Sequence, residues 1–292
     1  MKKIIIVTGG AGFIASNLIN YLLKNTNFKI ISIDNYSSGS TKNHFNSKNV
    51  RYLKADTCNI DKILFKIKKN IHTIFHFAAK ADLIDANKKP FDAIENNVEG
   101  TVKIFKAALK NKVKKIIFAS SIYARSEQGG IYSTTKLASE MILERLCKKF
   151  KIKFVILRFG TVYGERSNKF NTVNNFIIDA KRKKKIYRGT KGDEIRSYIH
   201  VKDVAKIVYK SLQKKYENTH INVLGSKKTT VKRLLKIIKE KVPKLKIVYS
   251  KKNNRLYNYK INPFTYKIRV GKIVKLERYI KLQDGIHKLI NL

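Results

Sequence analysis

Hydrophobic and polar positions alternate regularly through the first half of the chain. Short aliphatic runs predict strands, and the stretches between them carry apolar residues at helical spacing. The predicted strands are residues 3–8, 29–33, 50–55, 72–77, 115–119 and 154–157, and the predicted helices are residues 12–24, 61–69, 90–111 and 132–149. Strands separated by single helices favour an α/β fold with a parallel, doubly wound sheet and right-handed crossovers.

The pattern changes after Gly164, where the predicted segments become shorter and more basic. They are a strand near residues 219–224, a helix over 230–241 and a strand over 246–249. We therefore predict a first domain over residues 1–164 and a smaller C-terminal lobe over residues 165–292. Segments of the lobe are expected to return to the first domain.

Length and composition restrict the class of protein. Apolar residues make up 43 % of the 292 residues, which is enough for a core, and no apolar run is long enough for a membrane span. The aliphatic run near the N-terminus ends at Thr8-Gly9-Gly10, so no signal peptide is expected. Cys58 and Cys147 are too few for a disulfide framework, and we predict a reducing, cytoplasmic compartment.

The formal net charge of +44 points to an anionic partner. Lysines number 52 and arginines only 12, however, and base recognition in nucleic acids depends largely on arginine. The lysines are spread along the whole chain, and the densest basic run, residues 181–185, is typical of a solvated helix end. We expect attraction of anionic substrates and no nucleic acid as partner, with an RNA-binding surface as the alternative.

A glycine-rich segment follows the first predicted strand directly. It reads Thr8-Gly9-Gly10-Ala11-Gly12-Phe13-Ile14-Ala15. Glycines let the backbone turn sharply and approach a pyrophosphate, and the start of the next helix binds its charge. The order of strand, glycine turn and helix predicts a Rossmann-type dinucleotide site, with contacts from Gly9, Gly12, Phe13 and Ile14.

Two carboxylates follow the next strands of the predicted sheet. Asp34 ends the second strand, where a carboxylate binds the ribose diol and repels a 2′-phosphate. No arginine follows it, since the next residue is Asn35, and this predicts NAD rather than NADP. Asp56, after the third strand, either accepts a hydrogen bond from the adenine amino group or caps the helix that begins near Asn59.

Tyr132 and Lys136 are one helical turn apart and share a face. A lysine cation beside a phenol, near a positive nicotinamide, is expected to lower the pKa of the tyrosine from its usual value of about 10. Tyr132 is then a base for a sugar hydroxyl, and Lys136 also holds the nicotinamide ribose. Ser120 and Ser121 end the fifth strand, where either hydroxyl can polarise the same substrate oxygen.

The histidines do not indicate a metal. His72 and His76 have the spacing of a helical zinc pair, but Ile74 and Phe75 between them indicate a strand. Because no further cysteine or carboxylate ligands accompany the pair, we predict no metal site.

Together these residues resemble the extended short-chain dehydrogenase/reductase family, in particular its NAD-dependent nucleotide-sugar epimerases and dehydratases. The cofactor loop and the segment from Asp34 to Gly39 look like family motifs, with Ala15 in place of a third glycine. Further similar segments are His76-Phe77-Ala78-Ala79-Lys80, Asn97-Val98-Glu99-Gly100-Thr101, residues 157–164, residues 196–205 and Leu282-Gln283-Asp284-Gly285-Ile286.

The resemblance implies an activity and a set of contacts. Tyr132 and Ser121 assist oxidation of a nucleotide-bound sugar at C4, and an epimerase then returns the hydride to the other face of the 4-keto sugar. Family members form homodimers through helices that correspond to residues 92–111 and 134–149. The implied cofactor contacts are Asn35, Ala78, Lys80 and Asn97, and the implied contacts to the substrate diphosphate are Arg196 and Arg255.

The chain departs from the family pattern after Ser121, where Ile122-Tyr123-Ala124 and a short stretch lead to Tyr132. A 4-epimerase is the leading interpretation. A 4,6-dehydratase or a reductase is the alternative on the same fold; Ile122 and Tyr123 argue against the extra acid and base of a dehydratase, and Glu127 keeps that alternative open. The alternative from another class is an inactive Rossmann protein with a basic, RNA-binding surface.

Overall fold

A computed structural model describes residues 3–67, 71–126 and 128–249. Its centre is a seven-stranded parallel sheet with the strand order β10-β6-β5-β4-β1-β2-β3. The strands are β1 (Ile4–Thr8), β2 (Lys29–Asp34), β3 (Val50–Lys54), β4 (Ile71–His76), β5 (Lys115–Ser121), β6 (Lys153–Phe159) and β10 (Thr219–Val223). The predicted doubly wound α/β fold is confirmed, because the strand order reverses between β1 and β4.

Helices cover both faces of this sheet and close two separate apolar cores. The first core lies under α1 (Phe13–Asn25) and α8 (Val201–Lys210), and the second under α2 (Ile60–Lys66), α5 (Gly100–Lys110) and α6 (Gly130–Lys149). The central strands β1, β4 and β5 are almost wholly buried because helices pack on both of their faces.

The helix predicted over residues 90–111 is present from Pro90 to Lys110, but a π-helical turn divides it. Two short helices, α3 (Leu83–Lys88) and α4 (Pro90–Ile94), are followed by one π-helical turn, Glu95–Glu99, before α5 begins. A π-turn inserts one extra residue into a helix and often marks a functional site. Here it places Asn97 inside the protein, 1 % exposed, towards α6.

The remaining described segments form two small sheets with their own helices. One sheet contains β7 (Thr161–Tyr163), β9 (Ile195–His200) and β11 (Lys228–Thr230), and the other contains β8 (Lys185–Arg188) and β12 (Lys246–Tyr249). Helices α7 (Thr172–Lys183) and α9 (Val231–Lys241) enclose a third core with β8. The sequence pattern did not identify α7, α8, β7, β8, β9 or β11.

The strand β10 belongs to the main sheet although it lies far along the chain. It pairs in parallel with β6, with Thr219 opposite Val155. The segment before it, α8, packs on α1. The boundary predicted at residue 164 stays a prediction, and the family-like segment over residues 282–286 lies outside the described residues. Within the described part of the chain, no helix is long and apolar enough to cross a membrane.

Candidate active site

The glycine-rich turn after β1 brings the backbone of Gly9 close to the loop at Ala78 and to the start of α1. Gly9 has a φ of 68°, and a Cβ on it would lie 2.7 Å from the backbone nitrogen of Ala78. The backbone N–H of Gly12 donates to the carbonyl oxygen of Gly9 at 3.0 Å, and α1 begins at the next residue. Only glycine fits this left-handed position, and the free N–H groups at the start of α1 suit a pyrophosphate.

Asp34 connects the end of β2 to the glycine-rich turn. Its carboxylate accepts hydrogen bonds from the backbone N–H of Ala11 at 2.9 Å and of Tyr36 at 2.8 Å. The side chain is buried and borders the cavity described below. These bonds fix the orientation of the carboxylate, which is what recognition of a ribose diol requires.

Asp56 caps a helical turn, which is one of the two roles considered for it. Its Oδ1 accepts from the backbone N–H of Cys58 at 2.8 Å, and its Oδ2 accepts from the side chain of Asn35 at 2.7 Å. Although burial acts to raise it, these hydrogen bonds hold the pKa of Asp56 below its usual value. Contact with an adenine stays a prediction.

His76 is a buried structural residue at the end of β4. Its Nδ1 lies 2.8 Å from the hydroxyl of Thr8, and its Nε2 lies 3.2 Å from the hydroxyl of Thr101. Burial, with a smaller contribution from the charge of Lys136, lowers the pKa of His76 to about 3, so the ring is neutral. The Thr8 hydroxyl also accepts from the N–H of Ala78 at 3.2 Å, which fixes the loop beside Gly9.

Asn97 links that loop to the helix that carries Tyr132. Its Oδ1 accepts from the backbone N–H of Lys80 at 2.8 Å, and its Nδ2 donates to the Lys80 carbonyl and to the Thr135 hydroxyl. The ammonium of Lys80 binds Asp85 at 3.1 Å and Asp92 at 3.0 Å. Asn97 therefore acts from behind the loop and does not border the cavity, whereas Lys80 does.

Ser121 and Tyr132 form a hydrogen-bonded pair inside the protein. Burial raises the pKa of Tyr132 to about 12, and the hydrogen bond with Ser121 acts to lower it. The lowering that we predicted from Lys136 is therefore wrong for the protein alone. The physical reason is geometric, because the Lys136 ammonium donates to the Ala119 carbonyl at 2.9 Å and lies 4.8 Å from the centre of the Phe118 ring.

The structure separates the roles of the two serines that end β5. The Ser120 hydroxyl donates to the carboxylate of Glu140 at 2.6 Å, whereas Ser121 contacts Tyr132. Ser121 also accepts from the backbone N–H of Tyr123 at 3.2 Å and so begins the short helical turn Ile122–Arg125. Sequence reasoning did not identify Glu140; a carboxylate one turn after Lys136 was the available signal.

The short connection between Ser121 and Tyr132 is closed by two glycines. Gly129 has a φ of 98° and Gly130 a φ of 55°, so the chain reverses sharply before α6 starts at Gly130. The Asn87 side chain accepts from the backbone N–H of Ile131 at 3.1 Å and occupies the space of a Cβ on Gly130. The turn therefore lets residues 122–131 alone connect Ser121 to Tyr132. Glu127, within this connection, lies outside the described residues.

One cavity of about 540 Å³ runs from the glycine-rich turn to Tyr132 and Lys136. It fits a dinucleotide, because Asp34 lies at one end, the α1 N-terminus in the middle and Tyr132 at the other end. Aromatic side chains also border it: Phe77 and Phe159, which lie in segments that resemble family motifs, and Phe170, which the sequence did not indicate. The predicted cofactor residues that border it are Gly9, Gly12, Phe13, Ile14, Asp34, Asn35, Asp56, Ala78, Lys80, Tyr132 and Lys136.

The two arginines predicted for the substrate diphosphate are not both placed. Arg196, on β9, is buried and donates to the carbonyl oxygen of Ile195 at 2.9 Å. It does not border the cavity, and its role stays a prediction. Arg255 lies outside the described residues.

Comparison with known proteins gives one family. The family model "NAD dependent epimerase/dehydratase family" matches residues 5–223. A protein of Methanocaldococcus jannaschii, provisionally named a UDP-glucose 4-epimerase, is 29 % identical over 98 % of this chain and 97 % of its own length. A similar solved structure is the UDP-N-acetylglucosamine 4-epimerase of Methanobrevibacter ruminantium in complex with UDP-N-acetylmuramic acid; it is 29 % identical, with 87 % of each chain covered and a TM-score of 0.80.

A second solved structure gives the same result. The UDP-glucose 4-epimerase of Thermotoga maritima, with UDP-glucose, is 27 % identical over 86 % of each chain, with a TM-score of 0.79. The family model alone spans well over half of the chain. The chain therefore belongs to the NAD-dependent epimerase/dehydratase family.

Proposed function

We propose that the protein is an NAD-dependent nucleotide-sugar epimerase that acts through transient oxidation at C4 of the sugar. One observation carries this proposal: Tyr132, which is hydrogen-bonded to Ser121, and Lys136 border the same cavity as the glycine-rich turn and Asp34. The two solved relatives act on UDP-glucose and UDP-N-acetylglucosamine according to their names, which supports a uridine diphosphate sugar as substrate.

The chemistry divides between the cofactor and the protein. NAD held along the cavity by the glycine-rich turn and Asp34 would supply the acceptor for the C4 hydride and the donor for reduction of the ketone. The Tyr132 phenolate takes the proton of the C4 hydroxyl as the C4–H bond breaks, and the resulting phenol returns this proton to the C4 oxygen when the rotated ketone is reduced on its other face. The Ser121 hydroxyl donates to the phenol oxygen of Tyr132 and lowers the cost of a phenolate, while Lys136 keeps a positive charge beside the cofactor ribose.

The test is direct incubation of the purified protein with UDP-glucose, UDP-N-acetylglucosamine and their uronic acid forms. NAD is supplied, salt is kept low, and the sugars are followed by proton NMR. We expect conversion of one substrate to its C4 epimer, lost in Tyr132→Phe and kept in Tyr187→Phe, where the tyrosine is exposed on β8. Absence of any conversion contradicts the proposal, and accumulation of a stable keto sugar identifies a dehydratase instead.

We also propose a homodimer formed through the outer faces of α4 to α6. Apolar side chains there are exposed: Phe91 is 82 % exposed, and Ile94 and Met141 are also on the surface. Large exposed apolar side chains often mark protein interfaces. Light scattering after gel filtration is expected to give twice the chain mass for the wild type and Tyr187→Lys, and the chain mass for Phe91→Lys with Met141→Lys. A monomeric wild type contradicts the proposal.

The state of the cysteines supports a cytoplasmic site of action. Cys58 and Cys147 are free thiols, and Cys147 is buried. Thiols persist in reducing compartments, whereas secreted proteins usually oxidise them to disulfides. Thiol titration of protein isolated from its native cells under non-reducing conditions is expected to find both cysteines reduced; a disulfide-linked species contradicts this location.

A further inference from the structure

A fully buried carboxylate lies one helical turn after Lys136. The Glu140 side chain is 0 % exposed and accepts from the Ser120 hydroxyl at 2.6 Å. Arg158, on β6, binds it with two donors: Nε at 2.9 Å from Oε1 and Nη2 at 2.7 Å from Oε2. Glu140 thus joins the strand that carries the active serine to the helix that carries Tyr132 and Lys136.

A second arginine approaches Glu140 from the shortened connection. The Nε of Arg125 lies 3.7 Å from Oε2 of Glu140, and Arg125 is the last residue of the helical turn that begins after Ser121. The residue before that turn, Ser121, is held by Ser120 on one side and by the turn on the other. The Glu140 carboxylate therefore contacts the chain on both sides of Ser121.

Stability alone is a poor explanation for this arrangement. Burying a charge pair costs desolvation energy, and well-packed apolar residues of similar volume often stabilise a protein equally well. A fixed buried charge instead gives direction, because bidentate guanidinium binding sets the plane of the carboxylate. The side chains that the Glu140 carboxylate orients, Ser120 and Arg125, are close to Ser121 in the chain, and Lys136 lies one helical turn before Glu140.

We propose that Glu140 is a positioning residue for the epimerase reaction. Its carboxylate fixes the chain on both sides of Ser121, so that the Ser121 hydroxyl points to Tyr132, and it places a negative charge beside the Lys136 ammonium. The kinetic test of this proposal rests on the proposed function, whereas a second test, urea unfolding as a function of pH, does not depend on enzymatic activity.

The charges around Lys136 give the proposal a pH signature. Tyr132 and Glu140 lie on its own helix, His76 faces it from β4 as a neutral ring, and β5 offers the Ala119 carbonyl. Burial lowers the pKa of Lys136 to about 8, and the Glu140 charge acts to raise it. Behind Glu140 lie Arg125, Arg158 and the His220 ring, which binds Arg158 at 2.7 Å and Glu144 at 2.9 Å.

The kinetic test compares Glu140→Gln and Glu140→Asp with two matched controls on the same helix. The controls are Arg145→Ala and Lys149→Ala, each of which removes an exposed charge. We expect Glu140→Gln to lower kcat roughly tenfold or more while KM changes little, since the loss lies in the chemical step. We also expect the decline of kcat at alkaline pH to begin at lower pH in Glu140→Gln than in the wild type. Glu140→Asp is expected to restore part of kcat and part of the pH profile, and the controls are expected to match the wild type.

Two further variants keep the test valid when Glu140→Gln does not fold. Ser120→Ala and Arg125→Ala each remove one contact and leave the Glu140–Arg158 pair intact. Both are expected to lower kcat at constant KM. The proposal is overturned when these variants and Glu140→Gln keep the wild-type kcat, or when kcat falls equally at every pH.

The second test needs no nucleotide sugar. Because a lysine with a lowered pKa stabilises the folded state increasingly as pH rises above that pKa, urea unfolding reports on Lys136 directly. Relative to the same chain with Lys136→Met, the rise in stability is expected to begin near pH 8 in the wild type and at lower pH in Glu140→Gln. An unchanged onset overturns the Glu140 proposal, whereas a wild type without epimerase activity overturns only the proposed function.

Discussion

The ammonium nitrogen of Lys136 lies 2.9 Å from the carbonyl oxygen of Ala119, at the end of β5 and inside the protein. The side chain is 3 % exposed. A cation in this position has lost most of its hydration, and burial lowers its pKa to about 8. The contact therefore fixes where the charge lies and also makes that charge sensitive to pH near neutrality.

The first prediction concerns stability at alkaline pH. The pKa of Lys136 is lower in the folded than in the unfolded chain, so the unfolded state binds the extra proton between about pH 8 and 10.5. Stability from this group is absent below pH 8 and grows as pH rises. Urea unfolding at pH 7.5 and 9.5 is expected to show the wild type gaining on the order of 1–3 kcal/mol relative to Lys136→Met. A constant difference between the two proteins contradicts this.

The second prediction concerns Ser121→Ala. The hydrogen bond with Ser121 acts to lower the pKa of Tyr132, which burial has raised to about 12. Without the hydroxyl the Tyr132 phenolate is harder to form, so kcat of the variant is expected to be about 10²-fold below that of the wild type. The kcat of the variant is also expected to increase more steeply with pH than that of the wild type. Steady-state kinetics from pH 6 to 9 measure both. The control is Thr134→Ala, which removes an exposed hydroxyl from the helix that carries Tyr132, and it is expected to match the wild type.

The third prediction concerns Asn97. Alanine at this position removes the side-chain partner of the backbone N–H and carbonyl of Lys80, which are partly buried, and of the Thr135 hydroxyl, which is buried. We expect a loss of about 2–4 kcal/mol in the free energy of unfolding and a weaker affinity for NAD. Denaturant unfolding and NAD titration by calorimetry measure these. The control Asn111→Ala removes a side-chain bond to the Ala107 carbonyl away from the cavity, and equal losses in both variants contradict a special role for Asn97.

The fourth prediction compares two glycines at helix starts. Gly130 has a φ of 55° and the Asn87 side chain stands where a Cβ would go, so Gly130→Ala is expected to cost about 2 kcal/mol or more. Gly100 begins α5 with a φ of −54°, and its Cβ would meet nothing closer than 3.5 Å. Gly100→Ala is therefore expected to be neutral or to stabilise by up to about 1 kcal/mol. Thermal unfolding measures the stability of both variants. Equal stability of Gly130→Ala and Gly100→Ala contradicts the prediction, because the connection before α6 then tolerates a side chain.

Much of the first half of the fold could be predicted because its signals are local. The strand before Gly9, the carboxylate of Asp34 and the spacing of Tyr132 and Lys136 depend on residues that are close in sequence. The π-turn at Glu95–Glu99 could not, because an inserted residue leaves the apolar spacing of a helix almost unchanged.

The electrostatics of the site depend on contacts that sequence spacing does not give. Tyr132 and Lys136 share a helix face, and this spacing suggested that the lysine sets the pKa of the tyrosine. The Ala119 carbonyl instead holds the ammonium, and burial dominates both groups. Similarly, Glu140 is one of several charged residues on α6, and only the position of Arg158 on β6 shows that it is buried. Long-range pairs of this kind need the three-dimensional structure.

The strand β10 is synthesised long after its partner β6, and this order has a consequence for folding during biosynthesis. Residue 155 of β6 and residue 219 of β10 are partners, so β6 keeps an open hydrogen-bonding edge until the ribosome has released the intervening chain. An uncovered apolar strand edge can pair with other polypeptides. Expression of residues 1–164 alone is thus a route to inclusion bodies, and soluble fragments should extend beyond Val223.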